Sequence, residues 1–136
     1  AVLSIKLRHL EQANLLRREH ALRYNRAFAG IDELITPVEA NYAQHVYHVY
    51  ALRVQERDEI RRHLQEKGVG CAVHYPIPIH LQEACRDLGY KKGAFPIAEC
   101  LAEGFLSLPM FPELTAEQIE YVACCVSEAV GAGALA

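Results

Sequence analysis

The strongest constraint on the fold is a long helical pattern at the start of the chain. Residues at steps of three and four, most of them apolar, run from Leu3 to Phe28: Leu3, Leu7, Leu10, Asn14, Arg17, Ala21, Tyr24 and Phe28. This spacing predicts one amphipathic helix of about 25 residues that ends at Gly30. Such a helix is longer than a usual globular one, so we expect it to pack against something larger, unless it packs only on its own domain. No N-cap residue precedes the first apolar position, so the sequence favours a piece of a longer protein.

Pro37 interrupts the chain, and a segment rich in valine and tyrosine follows at 42–54. This composition predicts a strand, and apolar residues on both faces suggest a central strand that is covered on both sides. His48 would share a face with Val46 and Tyr50, and we interpret it as a hydrogen-bonded structural residue of the sheet.

Residues 56–67 predict a helix with Ile60 and Leu64 facing inward, and Gly68 stands at its C-terminal end. The apolar run 69–73 then predicts a short strand.

The remaining predicted elements are short helices at 81–89 and 95–104, a strand at 105–109 and a last helix from Thr115, where Thr115 and Gln118 form a capping box. The small residues 131–136 predict a frayed tail. We therefore expect one α+β domain over 1–136, with a small antiparallel sheet of about three strands, helices packed on it and a long N-terminal helix before it. Its parts are a linking helix at 1–30, an α+β core at 42–128 and the tail.

Composition excludes several classes of function. The 136 residues are half apolar and carry a formal charge of −3, with no long basic run, so nothing indicates a nucleic acid or an anionic membrane as partner. No apolar run approaches the roughly 18 residues of a membrane helix. Five cysteines, an odd number without a CxxC pair, fit reduced thiols, and we expect a cytoplasmic protein.

The segment HYPIPIH, residues 74–80, follows the strand predicted at 69–73. Pro76 and Pro78 fix their own φ angles and push the residues before them towards extended geometry. A stiff segment that presents polar side chains suits a binding wall, because little conformational entropy is lost on binding. A rigid connector whose histidines touch only solvent is an equal alternative on the residues alone.

A zinc site is a weaker alternative. Cys71, His74, His80 and Cys85 give the spacing C-x2-H-x5-H-x4-C, and zinc accepts these ligand types. Both cysteines, however, fall on apolar positions of predicted elements, where free cysteine is often simply buried.

Other catalytic patterns are weak. Cys124 and Cys125 lie side by side on the last predicted helix without a signature of a nucleophilic cysteine. The chain has neither GxGxxG nor GxxxxGK, so it has no phosphate-binding loop of those types. Its lysines lie in polar or charged settings, and none looks like an amine with a lowered pKa: Lys6, Lys67, Lys91 and Lys92.

Taken together, several stretches resemble the C-terminal small domain of the DegT/DnrJ/StrS-type sugar aminotransferases. The stretches occur in the family's order and spacing at 1–28, 45–54, 57–90 and 95–122. The resemblance covers roughly residues 1–127, and HYPxPxH followed by LSLPMFPELT is its most specific part.

The resemblance implies a fold type I enzyme that uses pyridoxal phosphate to move an amino group, usually from glutamate or glutamine, to a keto-sugar carried on a nucleotide. It implies cytoplasmic homodimers in which the loop at the strand end borders the mouth of the active site. His74 and Tyr75 would then face the sugar, His80 would lie at the rim, and His48 would be only structural.

The family's cofactor machinery lies in a large N-terminal domain, and no matching lysine, acidic residue or phosphate-binding turn is found in this sequence. We therefore expect no catalytic residue in this chain, no cofactor bound by it alone and no transaminase activity without the large domain as partner. Two hypotheses remain: the small domain of a transaminase, or a free-standing binding module. The small-domain hypothesis predicts an exposed apolar patch on the N-terminal helix.

Overall fold

The computed structural model describes residues 2–133. Their elements are the helices α1 (Val2–Leu7), α2 (Leu10–Ala27), α3 (Arg57–Glu66), α4 (Pro96–Gly104) and α5 (Ala116–Gly133), and the strands β1 (Leu34–Ile35), β2 (Tyr50–Val54) and β3 (Phe105–Leu108). The strands form an antiparallel sheet in the order β1-β2-β3. The predicted α+β class, with its small antiparallel sheet and long N-terminal helical segment, is confirmed.

The core lies on one face of the sheet. Alternate residues of β2 are buried, and Leu52 pairs in register with Leu106 of β3. Helices α2, α3 and α5 cover this face, because their buried side chains join the same cluster as the strands. The other face is covered only in part, since Arg53 is exposed and Ala51 is half-buried, so the expected cover on both sides of the strand is incomplete.

The N-terminal helix is present but is broken into α1 and α2 by a turn at residues 8–9. Tyr24 fixes α2 to the sheet: its ring centroid lies 4.9 Å from that of Tyr50, and its hydroxyl donates to the carbonyl of Pro109 at 3.2 Å. Burial raises the pKa of Tyr24, so the phenol stays neutral. In the described chain, no residue of α1 is buried.

The strand predicted at 42–54 is wrong over its first eight residues. A guanidinium N–H of Arg18 donates to the carbonyl of His45 at 2.7 Å, and the Tyr47 N–H donates to His45 Nδ1 at 2.9 Å. Tyr47 has a φ of 48°, which no strand adopts. His48 lies in an exposed bend before β2, so its expected role as a sheet residue is also wrong.

The strand predicted at 69–73 is reduced to a single bridge. Ala72 and Ser107 exchange backbone hydrogen bonds at N···O distances of 3.1 and 2.8 Å, and the flanking residues stay outside the sheet. The sheet instead gains β1, which the sequence did not predict because two residues are too short a run to show a period.

Local signals at helix ends were more reliable. Ile60 and Leu64 of α3 are buried, and Gly68 takes a φ of 74° just beyond the helix. The capping box at α5 is confirmed, with Thr115 N–H donating to Gln118 Oε1 at 3.0 Å and Gln118 N–H donating to Thr115 Oγ1 at 3.3 Å.

Two of the remaining predicted elements differ in detail from the structure. The helix predicted at 81–89 forms as 3₁₀ turns at Ile79–Leu81 and Glu83–Leu88. Helix α5 continues to Gly133, past the predicted start of the tail at 131, and residues 134–136 lie outside the described residues. None of the helices between residues 2 and 133 has the length and apolar character needed to cross a membrane.

Candidate functional site

The loop 74–80 is fixed at its first residue to the edge of the sheet. A hydrogen bond of 2.9 Å joins His74 Nδ1 to Ser107 Oγ. Ser107 is buried and alternates with Leu106 and Leu108, so its side chain lies on the face of the sheet away from the core. Its backbone also pairs with Ala72, so strand β3 holds the start of the loop twice.

The last residue of the loop is fixed to helix α4. His80 Nε2–H donates to Glu99 Oε1 at 2.9 Å, and only 8% and 11% of the two side chains are exposed. The Gly93 N–H donates to both Glu99 oxygens at 2.9 Å, and the Phe95 N–H donates to Oε1 at 3.3 Å. These donors, Gly93 first, hold the pKa of Glu99 below its ordinary value of 4.5.

Between the two anchors the loop faces outward. Tyr75 is 71% exposed, and its ring meets the His74 ring edge-on with centroids 5.6 Å apart. Behind the loop lies a cleft of about 190 Å³, lined by Pro76, Ile77, Pro78, Leu81, Lys92, Glu99, Ala102 and Glu103. The loop is therefore a connector held at both ends that presents one aromatic hydroxyl.

The three residues singled out from the sequence have different surroundings. Tyr75 is open to a ligand, and His74 has one ring nitrogen bound to Ser107. The His80 imidazole is nearly enclosed and paired with Glu99, and its expected place at the rim of an active site stays a prediction.

The zinc spacing does not produce a zinc site. Among residues 2–133, no three side chains of the metal-binding types come close enough to hold an ion. The Cys71 thiol lies 3.8 Å from the carbonyl of Arg61, and burial raises the pKa of that thiol. All five cysteines fall within the described chain and are free.

The residues do not fit a pyridoxal phosphate site either. A lysine that reacts with the cofactor's aldehyde must lose its proton readily, which needs a lowered pKa. The four lysines all lie in the described chain and all are exposed. Lys67 Nζ lies 3.3 Å from a Glu128 oxygen, and the hydrogen bond that it donates to that carboxylate raises the pKa of Lys67. No cofactor chemistry follows from these residues.

The N-terminal segment carries a second feature, which we call the N-terminal apolar surface. Its large apolar side chains are between 46% and 76% exposed: Val2, Leu3, Ile5, Leu7, Leu10, Leu15 and Leu22. The small-domain hypothesis predicts exposed apolar side chains on the first helix, and these residues are exposed.

The model of the DegT/DnrJ/EryC1/StrS aminotransferase family matches residues 1–127. The chain belongs to this family. A pleiotropic regulatory protein of Geobacillus stearothermophilus is 45% identical over 94% of the chain and 35% of its own length. The dTDP-3-amino-3,4,6-trideoxy-alpha-D-glucose transaminase of Streptomyces venezuelae is 38% identical over 94% of the chain and 34% of its length.

A solved structure of this aminotransferase family agrees with the fold. The crystal structure of S. venezuelae DesV in complex with a ketimine intermediate superposes with a TM-score of 0.90 at 37% identity, covering 93% of this chain and 34% of DesV. The chain thus spans about a third of the length of the relatives that it matches.

Sequence reasoning missed the two residues that hold the loop of this aminotransferase-family chain. Glu99 is an acidic residue in the first turn of a helix whose start has no polar cap, and this was the available signal. Ser107 is a single polar residue in an apolar strand. Neither signal names its partner, because His80 lies 19 residues and His74 lies 33 residues away along the chain.

Proposed function

We propose that this chain is the C-terminal part of an aminotransferase that uses pyridoxal phosphate and acts on nucleotide-linked keto-sugars. The observation that carries the proposal is the family match over residues 1–127 in a chain that spans a third of its relatives. The Streptomyces relative named as a dTDP-amino-sugar transaminase supports this class of substrate. By analogy with the family, the proposal also includes a cytoplasmic location and assembly as a homodimer.

The loop 74–80 would form one wall of the sugar site. In this proposal Tyr75 and His74 face the keto-sugar, and His80 contributes by holding the loop in place. The support is that Tyr75 is exposed between two hydrogen-bonded anchors, so the loop loses little freedom when a ligand binds.

The cofactor would come from a larger N-terminal domain, which would also cover the N-terminal apolar surface. The support is that the described lysines are exposed and that α1 buries none of its residues within this chain. The same exposed surface argues against a free-standing binding module, for which we expected a surface without such a patch.

Turnover by the pure 136-residue chain tests the proposal that the chain alone is inactive. The assay supplies pyridoxal phosphate, glutamate and a dTDP-linked keto-sugar, with a heat-denatured sample as control. We expect no amino-sugar product above the control. Product formed at a rate that scales with chain concentration would contradict the proposal.

A further inference from the structure

Glu99 joins three parts of the chain that are not neighbours in sequence. It lies in the first turn of α4, its carboxylate accepts from His80 at the end of the loop, and it accepts from Gly93 and Phe95 in the preceding turn. The ring of Phe95 packs against that of His80 with centroids 4.8 Å apart. The Glu99 side chain therefore links the last residue of the loop to α4 and to the turn before it.

A carboxylate suits this position better than any neutral side chain. Each of the three partners is a donor, and an ionised carboxylate accepts through both oxygens and donates nothing. No side chain within the described chain caps the start of α4, and the negative charge of Glu99 also lies near the positive end of that helix. Glutamine has the same shape, but it loses one acceptor and turns an NH₂ group towards these donors.

The opposite end of the loop is held independently of Glu99. His74 is bound to Ser107 of β3, and the Ala72 bridge supports the same strand. Tyr75 therefore lies between an anchor on the sheet and an anchor on α4. Loss of the second anchor would free the loop without removing the first.

We propose that Glu99 is a positioning residue that acts through His80 to hold the loop carrying Tyr75 in its ligand-facing position. The consequence for substrate rests on the proposed function, in which Tyr75 faces a keto-sugar. The hold on the loop itself rests only on the contacts of Glu99, so the two parts can fail separately.

Hydrogen exchange, read by NMR on the 136-residue chain, tests the hold on the loop. The informative amides are Leu81 and Gln82, which donate to the carbonyls of Pro78 and Ile79 and not to Glu99. In Glu99→Gln we expect both to exchange about tenfold faster or more, because the 3₁₀ turn loses its support. The sheet amide of Leu52 should keep its rate, which shows that the fold is intact.

Glu103→Gln is the matched control. Glu103 lies one turn further along α4, its substitution makes the same change of charge, and its carboxylate forms an ion pair with the exposed Lys92 at 4.0 Å. We expect this variant to leave the rates of Leu81 and Gln82 unchanged. Equal rates in the Glu99 and Glu103 variants would overturn the proposal.

A second variant covers the case in which Glu99→Gln does not fold. His80→Leu removes the hydrogen-bond donor from the side of the loop and leaves the contacts of Glu99 to Gly93 and Phe95 in place. We expect Leu81 and Gln82 to exchange faster while the Gly93 amide stays protected. Unchanged exchange at Leu81 and Gln82 in this variant would also overturn the proposal.

Transamination kinetics of a longer protein that contains this chain would separate positioning from general destabilisation. We expect Glu99→Gln to raise the KM for the keto-sugar about tenfold or more and to leave the KM for glutamate unchanged. Equal effects on both would contradict positioning while the proposed function stands. Absence of transamination in the unsubstituted longer protein would contradict the proposed function, and the exchange experiment would still decide the role of Glu99.

Discussion

Ser107 holds His74 from the face of the sheet that lies away from the core, with Oγ 2.9 Å from Nδ1. The same residue pairs its backbone with Ala72, so the strand and the loop meet at one position. Ser107 is buried and His74 is exposed, so the contact is shielded in part, which gives the hydrogen bond more weight than a fully exposed one would have.

Ser107→Ala should therefore lower the free energy of unfolding by about 1 kcal/mol, the usual net value of a hydrogen bond. The measurement is urea unfolding followed by circular dichroism. Ser127→Ala is the matched control, because its hydroxyl donates only to the Ala123 carbonyl within α5. A loss for Ser107→Ala no larger than that for Ser127→Ala would contradict a stabilising role for the His74 contact.

Leu106→Ala tests the position of the core. Leu106 is fully buried opposite Leu52, so we expect a loss of roughly 2–5 kcal/mol from the lost apolar contacts and the remaining cavity. Leu22→Ala, on the exposed N-terminal apolar surface, should change the free energy of unfolding by about 0.5 kcal/mol or less. Similar losses in the two variants, measured by urea unfolding, would show that the core lies elsewhere.

Low pH should destabilise the fold, because carboxylates that accept hydrogen bonds in the folded state become protonated. The pKa of Glu39 lies below its ordinary value of 4.5, chiefly because Arg18 donates a hydrogen bond to it. The pKa of Glu99 also lies below 4.5, chiefly because the Gly93 N–H donates to it. A lowered pKa in the folded state stabilises the fold above pH 4.5, and this contribution is lost as the pH falls through the folded-state pKa.

The measurement is the urea midpoint at a series of pH values from 7 to 3, with Glu99→Gln beside the unsubstituted chain. We expect a midpoint that falls steeply once the pH drops below 4.5, and a shallower fall in the variant, which has one such carboxylate fewer. A midpoint that stays level between pH 5 and 3, or equal slopes in both chains, would contradict the assigned hydrogen bonds.

The N-terminal apolar surface should cause self-association of the isolated chain. The double variant Leu3→Glu and Leu7→Glu places two charges on this surface. We expect its sedimentation velocity profile to shift towards the monomer, because apolar surface would no longer be buried between copies. Val38→Glu is a control at an exposed apolar residue outside this surface. A monomeric unsubstituted chain, or an equal shift in the control, would contradict this role of the surface.

Local signals predicted much of the fold. The buried pair Ile60 and Leu64, the glycine after α3 and the capping box of α5 each depend on residues within a few positions, so the sequence alone specifies them. The strand at 42–49 failed for the opposite reason. Contacts from Arg18, more than twenty residues away, bend the segment against the high strand propensity of its valines and tyrosines.

The candidate site was predicted only in part for the same physical reason. The prolines of HYPIPIH indicated a stiff loop, and the structure shows one that is fixed at both ends. The identity of the anchors depends on which elements pack together, and neither Ser107 nor Glu99 is close to its partner in sequence. The partner of His80 on α4 could not be predicted from the sequence.

Sequencing the source DNA upstream of Ala1 tests whether this chain is the C-terminal part of a longer aminotransferase. We expect an open reading frame that continues upstream far enough to encode the remaining two thirds of the relatives' length, including a lysine in the family's cofactor setting. A stop codon followed by a start signal immediately before Ala1 would contradict the proposed function and would make the chain an independent protein.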